Sequence, residues 1–342
     1  MSKVSFDKFR QLVNDIDTPE SELKYYFIED PESHSNEAGA GPTIKINTEE
    51  VDLEESNDPR TQAAVLFNSA NAISRWRRLQ KFHRSVKKDN RPILVTEGDS
   101  WFQFPFLLDD VVDNLSKRFS VYSMGAAGDT TLNMIFKAPE FLLGVREAEQ
   151  ASNRNVAGFL FSSGGNDILG KIPDSEERVL SKIVRKHEPG EQFSLASAFN
   201  EGERKKQFDF LEAGYAKLIA DIRAVHPKLP LFFHSYDKVW PFNPANNADD
   251  RKGIWVQPPL TQQGIGDFEN QRLITTDLIN QFKSMLQKIA NSHSNVHYMD
   301  TGQPLGNDLG LWHDEIHPNN KGYEIVSNVF GNMIADKIGA QV

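Results

Sequence analysis

Residues 91–107 read RPILVTEGDSWFQFPFL. Residues 93–96 form a short β-forming run that breaks at Glu97-Gly98-Asp99-Ser100, and an aromatic, proline-containing stretch follows. Ser100 thus stands just past the end of a predicted buried strand. In an open α/β sheet that is where a reactive side chain is exposed. Its position makes Ser100 the first candidate nucleophile.

Downstream the same punctuation repeats. Residues 119–123, 157–162, 229–234 and 296–299 are short apolar runs, and helical patterns at 106–117, 131–136, 207–226 and 270–291 separate them, with a last one at 321–337. Such alternation predicts a parallel sheet with helices on both faces. The expected fold class for residues 91–342 is α/β: a three-layer α/β/α, flavodoxin-like sheet of about five parallel strands. Insertions near 170–206 and 236–267 exceed ordinary loop length, and the second contains Trp240 and Trp255. Stretches of that length serve as lids or substrate walls, or are plain surface excursions.

Upstream, residues 1–90 read as a separate, mainly helical module. Phe6, Phe9, Val13 and Ile16 recur at helical spacing, and Asp17-Thr18-Pro19-Glu20 announces a second short helix over 20–27. Residues 30–57 are polar and loop-like, with one apolar patch at 43–46 that suits a strand. Asp58-Pro59 opens a third helix running to about Lys87, with Leu66, Phe67, Ala70, Ile73, Trp76 and Leu79 as its apolar stripe. Its last turns carry Arg75, Arg77, Arg78, Lys81, Arg84, Lys87 and Lys88. The first reading is a solvated helix end whose cations complement the helix dipole; the alternative is a docking patch for an acidic partner or for the protein's own acidic loops.

A formal net charge of -10 argues against a general nucleic-acid or anionic-membrane binder. The sequence has no cysteine, which removes thiol catalysis, disulfides and cysteine metal sites. The N-terminal residues MSKVSFDKFRQLVND lack an apolar signal core, and no apolar run is long enough for a transmembrane segment. A cytoplasmic location is expected, with signal-less export left open.

Four local signals fall after the strands or near the C-terminus. They are Gly98-Asp99-Ser100, then Gly125-Ala126-Ala127-Gly128-Asp129-Thr130, then Gly164-Gly165-Asn166-Asp167, and finally Asp314-Glu315-Ile316-His317-Pro318. Each alone is weak, since a Gly-rich turn is often only a tight connection. Their order is more telling. In a sheet of strand order 2-1-3-4-5, Ser100 and Asn166 would flank the crevice at the switch point, with Gly128 on the neighbouring loop.

With these blocks in this order, the chain from residue 91 onward resembles the SGNH or GDSL hydrolases, serine esterases and lipases. The resemblance implies Ser100 as nucleophile, His317 as general base and Asp314 as the carboxylate orienting it. It also implies an oxyanion hole from the backbone N–H groups of Ser100 and Gly128 and the Asn166 side chain, with no metal or organic cofactor. Gly125 is a competing second-block glycine, and Ser123 stands where many relatives carry asparagine. The chemistry is coherent in its own right. Imidazole titrates in the range needed to take a serine proton and return it to a leaving group, and a carboxylate on its other nitrogen fixes the tautomer. No G-x-S-x-G occurs, so a nucleophile elbow of the α/β-hydrolase kind does not place Ser100.

The same residues admit other roles. Ser100 could be a helix cap, His317 a structural histidine, and His313, Asp314 and His317 a metal site, though no further clustered ligands support one. His313 is expected at the rim. Trp101, Phe102, Phe104 and Phe106 read as core or pocket lining, and Trp101, His234 and Trp240 as candidate substrate contacts. The expected function is serine-dependent ester hydrolysis of a small-molecule, lipid or carbohydrate ester. Acetylated sugars, short-chain esters, lysophospholipids and thioesters all remain open. The alternatives are a non-catalytic carbohydrate or acyl-binding module on the same scaffold, and an effector hydrolase delivered or switched by a protein partner through residues 1–90.

Overall fold

The computed structural model describes residues 3–29, 44–53, 69–172, 175, 177–241, 255–300 and 304–340. Strand β1 (Val4–Ser5) leads into helix α1 (Phe6–Asn14), where the Ser5 hydroxyl accepts from the Lys8 N–H and the helix buries Phe9 and Val13. The expected helix over 20–27 is cut short. Helix α2 (Glu20–Leu23) ends in a single tight turn, and Phe27 instead opens strand β2 (Phe27–Glu29), antiparallel to β3 (Ile44–Ile46). Tertiary packing overrides local propensity here. The Phe27 ring stacks on Phe106 at 4.2 Å between centroids, a contact worth about 0.5–1.5 kcal/mol beyond its buried area. Strand β4 (Val51–Asp52) pairs in parallel with β1.

Helix α3 (Ser69–Lys88) overturns the reading of a solvated basic end; the start expected at Asp58, with Leu66 and Phe67, lies outside the described residues. Arg77 is fully buried, donating to the carbonyls of Val13, Asp15 and Thr18 at 2.7 Å each and to Glu20 at 3.1 Å. Arg78 is buried too, donating to Phe102 O (2.5 Å), Gln103 Oε1 (2.6 Å), Asp110 (2.6 Å) and Asp113 (2.7 Å). Lys81 meets Glu20, Arg84 meets Asp17 and Arg75 meets Glu140. These five cations dock on the protein's own acidic and carbonyl groups, while Lys87 and Lys88 are exposed; Arg77 and Arg78 thereby join the N-terminal segment to the chain just after Ser100.

The main sheet has five parallel strands: β5 (Ile93–Gly98), β6 (Ser120–Ser123), β7 (Gly158–Ser162), β8 (Leu231–His234) and β9 (Val296–Met299), in the spatial order β6-β5-β7-β8-β9. This is the 2-1-3-4-5 order anticipated above. Strands β5 to β8 are buried throughout, as parallel strands covered on both faces must be. Helix α4 (Val111–Leu115) is shorter than the expected 106–117. Phe106 has φ 65°, which a right-handed helix does not accept, and Asp110 and Asp113 form a capping box that starts the helix after residue 110.

Beyond it come a π-helical turn at Leu132–Lys137, α5 (Phe141–Ser152), α6 (Gly165–Leu169), α7 (Val179–Ile183) and α8 (Glu201–Val225). The chain ends with α9 (Gln257–Gln262), α10 (Phe268–Ser292) and α11 (Asn320–Ile338). Among the described residues no helix is long and apolar enough to cross a membrane.

Candidate active site

Gly98 closes β5 where it runs hard against β7; a Cβ there would come within 2.7 Å of the Ser162 Cβ. Asp99 then turns the chain. Its N–H donates to Ser162 O at 3.2 Å, and its carbonyl accepts from the Phe102 and Gln103 N–H groups at 3.0 Å. Its carboxylate accepts from Ser162 Oγ (2.8 Å), the Trp101 N–H (3.1 Å) and the Tyr236 hydroxyl. Burial pushes the Asp99 carboxyl up to about 6 despite these donors.

The turn delivers Ser100, whose Oγ lies 2.7 Å from His317 Nε2. On the other side of the ring, His317 Nδ1 is 2.7 Å from Asp314 Oδ2. Asp314 Oδ1 accepts from the Ile316 N–H (2.8 Å) and the His317 N–H (2.7 Å), so the three-residue spacing lets one carboxylate bind both the imidazole and its backbone. An antiparallel bridge between Trp312 and Pro318 closes this loop. The rings of Phe104 and Trp255 meet the imidazole edge-on at 4.9 and 5.3 Å, and His317 is fully buried. Burial alone would raise the Asp314 carboxyl, but the imidazole beside it, with His313 further out, holds it below the usual value.

Asn166 sits in the first turn of α6, directly after β7, and lines the same pocket as Ser100. Its amide donates to Asp129 O at 2.7 Å, tying it to the loop that carries Gly128. Gly128 has φ 86°, a left-handed conformation that favours glycine, whereas a Cβ on Gly125 would come 3.1 Å from Gly98 O. Gly125 therefore owes its identity to packing under the nucleophile turn.

The proposed substrate contacts divide. Trp101 lines the pocket and donates its indole N–H to Ile316 O at 3.1 Å. His234 does not reach the crevice: it is fully buried with its ring against Phe102 and Trp101 (5.3 and 5.6 Å), and burial lowers its pKa to about 4. Trp240 is also buried, beneath the Arg272 guanidinium at 4.6 Å, and its neighbour Val239 lines the pocket instead. His313, expected at the rim, is bonded at 2.8 Å to Glu29 of β2. Glu29, His313 and Asp314 offer ligand atoms within 4.8 Å of one another, the one such set among the described residues. Within the trio Glu29 bonds His313, while Asp314 already spends both oxygens on His317 and Ile316, so its carboxylate serves the imidazole and not a metal cage.

Two supporting residues, Asn71 and Glu315, have roles that the sequence does not reveal. Asn71 of α3 brackets Ala127, accepting from its N–H at 3.0 Å and donating to its carbonyl at 3.3 Å. The Glu315 carboxylate accepts from the N–H groups of Trp255, Val256 and Gln257 at 2.5, 2.7 and 3.0 Å, while its carbonyl accepts from the Trp240 N–H at 2.8 Å. It pins two points of the second insertion, Trp240 and Trp255–Gln257, to the loop bearing His317.

Comparison with known proteins places the chain in a family. Residues 95–325 match the family model described as GDSL-like Lipase/Acylhydrolase. The chain belongs to the GDSL-like lipase/acylhydrolase family. No curated protein matches it by sequence. Among solved structures it is similar to a candidate platelet activating factor from Streptococcus pneumonia (13% identity, 80% of this chain and 99% of that one, TM-score 0.41). It is also similar to a candidate GDSL-like lipase from Bacteroides ovatus (14% identity, 73% and 55%, TM-score 0.40). A third is a family 3 carbohydrate esterase from Talaromyces cellulolyticus (12% identity, 72% and 98%, TM-score 0.38). As a GDSL-like family member the chain is a hydrolase of the esterase and acylhydrolase group.

Proposed function

We propose that this GDSL-family protein hydrolyses carboxylic esters through an acyl-enzyme on Ser100, with His317 as general base and acid and Asp314 as its orienting carboxylate. The observation that carries the reading is the chain of two 2.7 Å contacts from Ser100 Oγ through the imidazole to Asp314. Ser100 Oγ attacks the ester carbonyl carbon as its proton passes to His317 Nε2. The carbonyl oxygen becomes an oxyanion, held by the N–H groups of Ser100 and Gly128 and by the Asn166 amide, which Asp129 O helps to orient. Collapse breaks the bond to the alcohol oxygen, which leaves with the proton from His317. Water then attacks the acyl-serine by the same route and releases the acid.

Asp314 stabilises the imidazolium that forms, and its depressed pKa keeps it anionic through the range in which imidazole works. The residues used need neither a metal nor an organic cofactor. The test is hydrolysis of a nitrophenyl ester by Ser100→Ala and His317→Ala variants. Each is expected to lower kcat by about a thousandfold or more. Unchanged turnover in either would sink the proposal.

A further inference from the structure

The pocket beside Ser100 has an unusual division of labour between its polar and apolar walls. The space in it and before its mouth, open solvent included, is about 660 Å³. Leu169, Leu180, Val239, Leu278, Ile279 and Phe282 are among its apolar lining. Its polar groups are few and engaged by the protein. The Asp99 carboxylate is taken by Ser162, Trp101 and Tyr236; the Tyr236 hydroxyl also accepts from the Gly165 N–H at 3.0 Å; Thr275 Oγ1 donates to Gln271 O at 3.2 Å within its own helix. A sugar ring in this space would lose its hydration and find few partners, whereas a hydrocarbon chain would lose nothing.

The walls are built and fixed. Gly164 and Gly165 let two rings close on the Asn166 turn, since Cβ atoms there would come 2.8 Å from Phe282 and 3.0 Å from Tyr236. Those rings stack with each other at 6.0 Å and 16°. Leu180 comes from the first insertion and Val239 from the second, and the insertions hold one another. The His187 N–H donates to Gln263 O at 2.7 Å and Gln263 Nε2 donates to Ser181 O at 2.9 Å. A Cβ on Gly264 would lie 2.3 Å from His187 O, so the two segments touch backbone to backbone.

Sidedness follows from the catalytic groups. Ser100 and Asn166 line this pocket, whereas the His317 imidazole reaches Ser100 from a different side, packed edge-on against Phe104 and Trp255, which do not line it. The departing alcohol must sit at His317 to receive its proton, so the pocket holds the group that stays on the serine. We infer that this apolar pocket, walled by the two insertions, binds the acyl chain, and that the preferred substrates are esters of medium-length aliphatic acids, with acetyl esters poor substrates. The inference rests on the serine mechanism proposed above.

The full chain would be assayed with nitrophenyl acetate, butyrate, hexanoate and octanoate, with Ser100→Ala alongside. kcat/KM is expected to rise roughly fourfold per added methylene until the pocket is filled. Ile279→Trp, which fills the pocket, should lower the octanoate-to-acetate ratio of kcat/KM by about tenfold or more, and Leu180→Ala should raise activity on dodecanoate relative to octanoate. The two variants act in opposite directions, so misfolding of one leaves the other as a test. A preference for acetate that Ser100→Ala abolishes would overturn the acyl-pocket inference while leaving the mechanism standing; hydrolysis indifferent to Ser100 would overturn the mechanism instead. A length dependence seen with alkyl acetates and not with the acyl series would assign the pocket to the alcohol and refute the inference.

Discussion

Replacing Arg78 by methionine tests how the N-terminal segment is joined to the nucleophile turn. The guanidinium lies between Asp110 and Asp113 at 2.6 and 2.7 Å and also holds the carbonyl of Phe102, two residues beyond Ser100. Methionine keeps most of the apolar stem and removes every donor, leaving the buried Asp110 and the half-buried Asp113 carboxylates without this cation. Removing one partner of a buried ion pair costs about 3–5 kcal/mol. Unfolding entropy of about 2.1 cal/mol/K per residue gives about 0.7 kcal/mol/K for 342 residues. For a cooperative transition the expected fall in Tm is therefore about 4–7 °C near neutral pH.

The pH dependence has a definite sign. Burial already pushes both carboxyls upward and Arg78 opposes it. Without the arginine their folded-state pKa values stand further above the unfolded ones. The folded variant then holds more protons than the unfolded chain, and stability falls as pH rises between those two sets of values. The Tm difference from the parent should thus be largest at pH 8 and shrink at pH 5.5. Calorimetric melts at both values measure it; a loss below about 1 kcal/mol, or one that does not narrow at low pH, would refute the reasoning.

Three further outcomes are expected. Asn166→Ala should lower kcat by about a hundredfold or more with a smaller change in KM, measured by steady-state hydrolysis, because an oxyanion donor acts mainly in the transition state. Glu29→Ala should lower kcat about tenfold by releasing His313 beside Asp314, while Glu29→Gln, which can still bond His313, should keep most of the activity in the same assay. Glu315→Gln turns an amide toward backbone N–H donors, at a cost of about 1–3 kcal/mol, and limited proteolysis should cut residues 236–267 sooner than in the parent.

What could be read from the sequence was local. The Ser100 turn, the Asn166 turn and the Asp314-to-His317 spacing each lie within a few residues, and strand–helix alternation placed them at one sheet edge. The contributions of Glu29, Asn71 and Arg78 span much longer separations. An arginine that will be fully buried among carbonyls looks, in sequence, like one on a solvated helix face, which is why Arg77 and Arg78 read as a surface end. His234 misled for a related reason. A histidine closing a strand suggests a crevice, but four aromatic neighbours, Trp101, Phe102, Tyr236 and Phe330, hold it in the core. The second helix failed because Phe27 gains more by stacking on Phe106 than by extending a short helix.

The central claim is that the Ser100 hydroxyl is a nucleophile activated by His317. It is tested most directly by treating the folded full chain with a fluorophosphonate and mapping the modified peptide by mass spectrometry. A single stoichiometric adduct on Ser100 is expected, formed slowly or not at all in His317→Ala, with ester hydrolysis lost in step with labelling. A folded, ester-hydrolysing protein that takes up no label at Ser100 would contradict it.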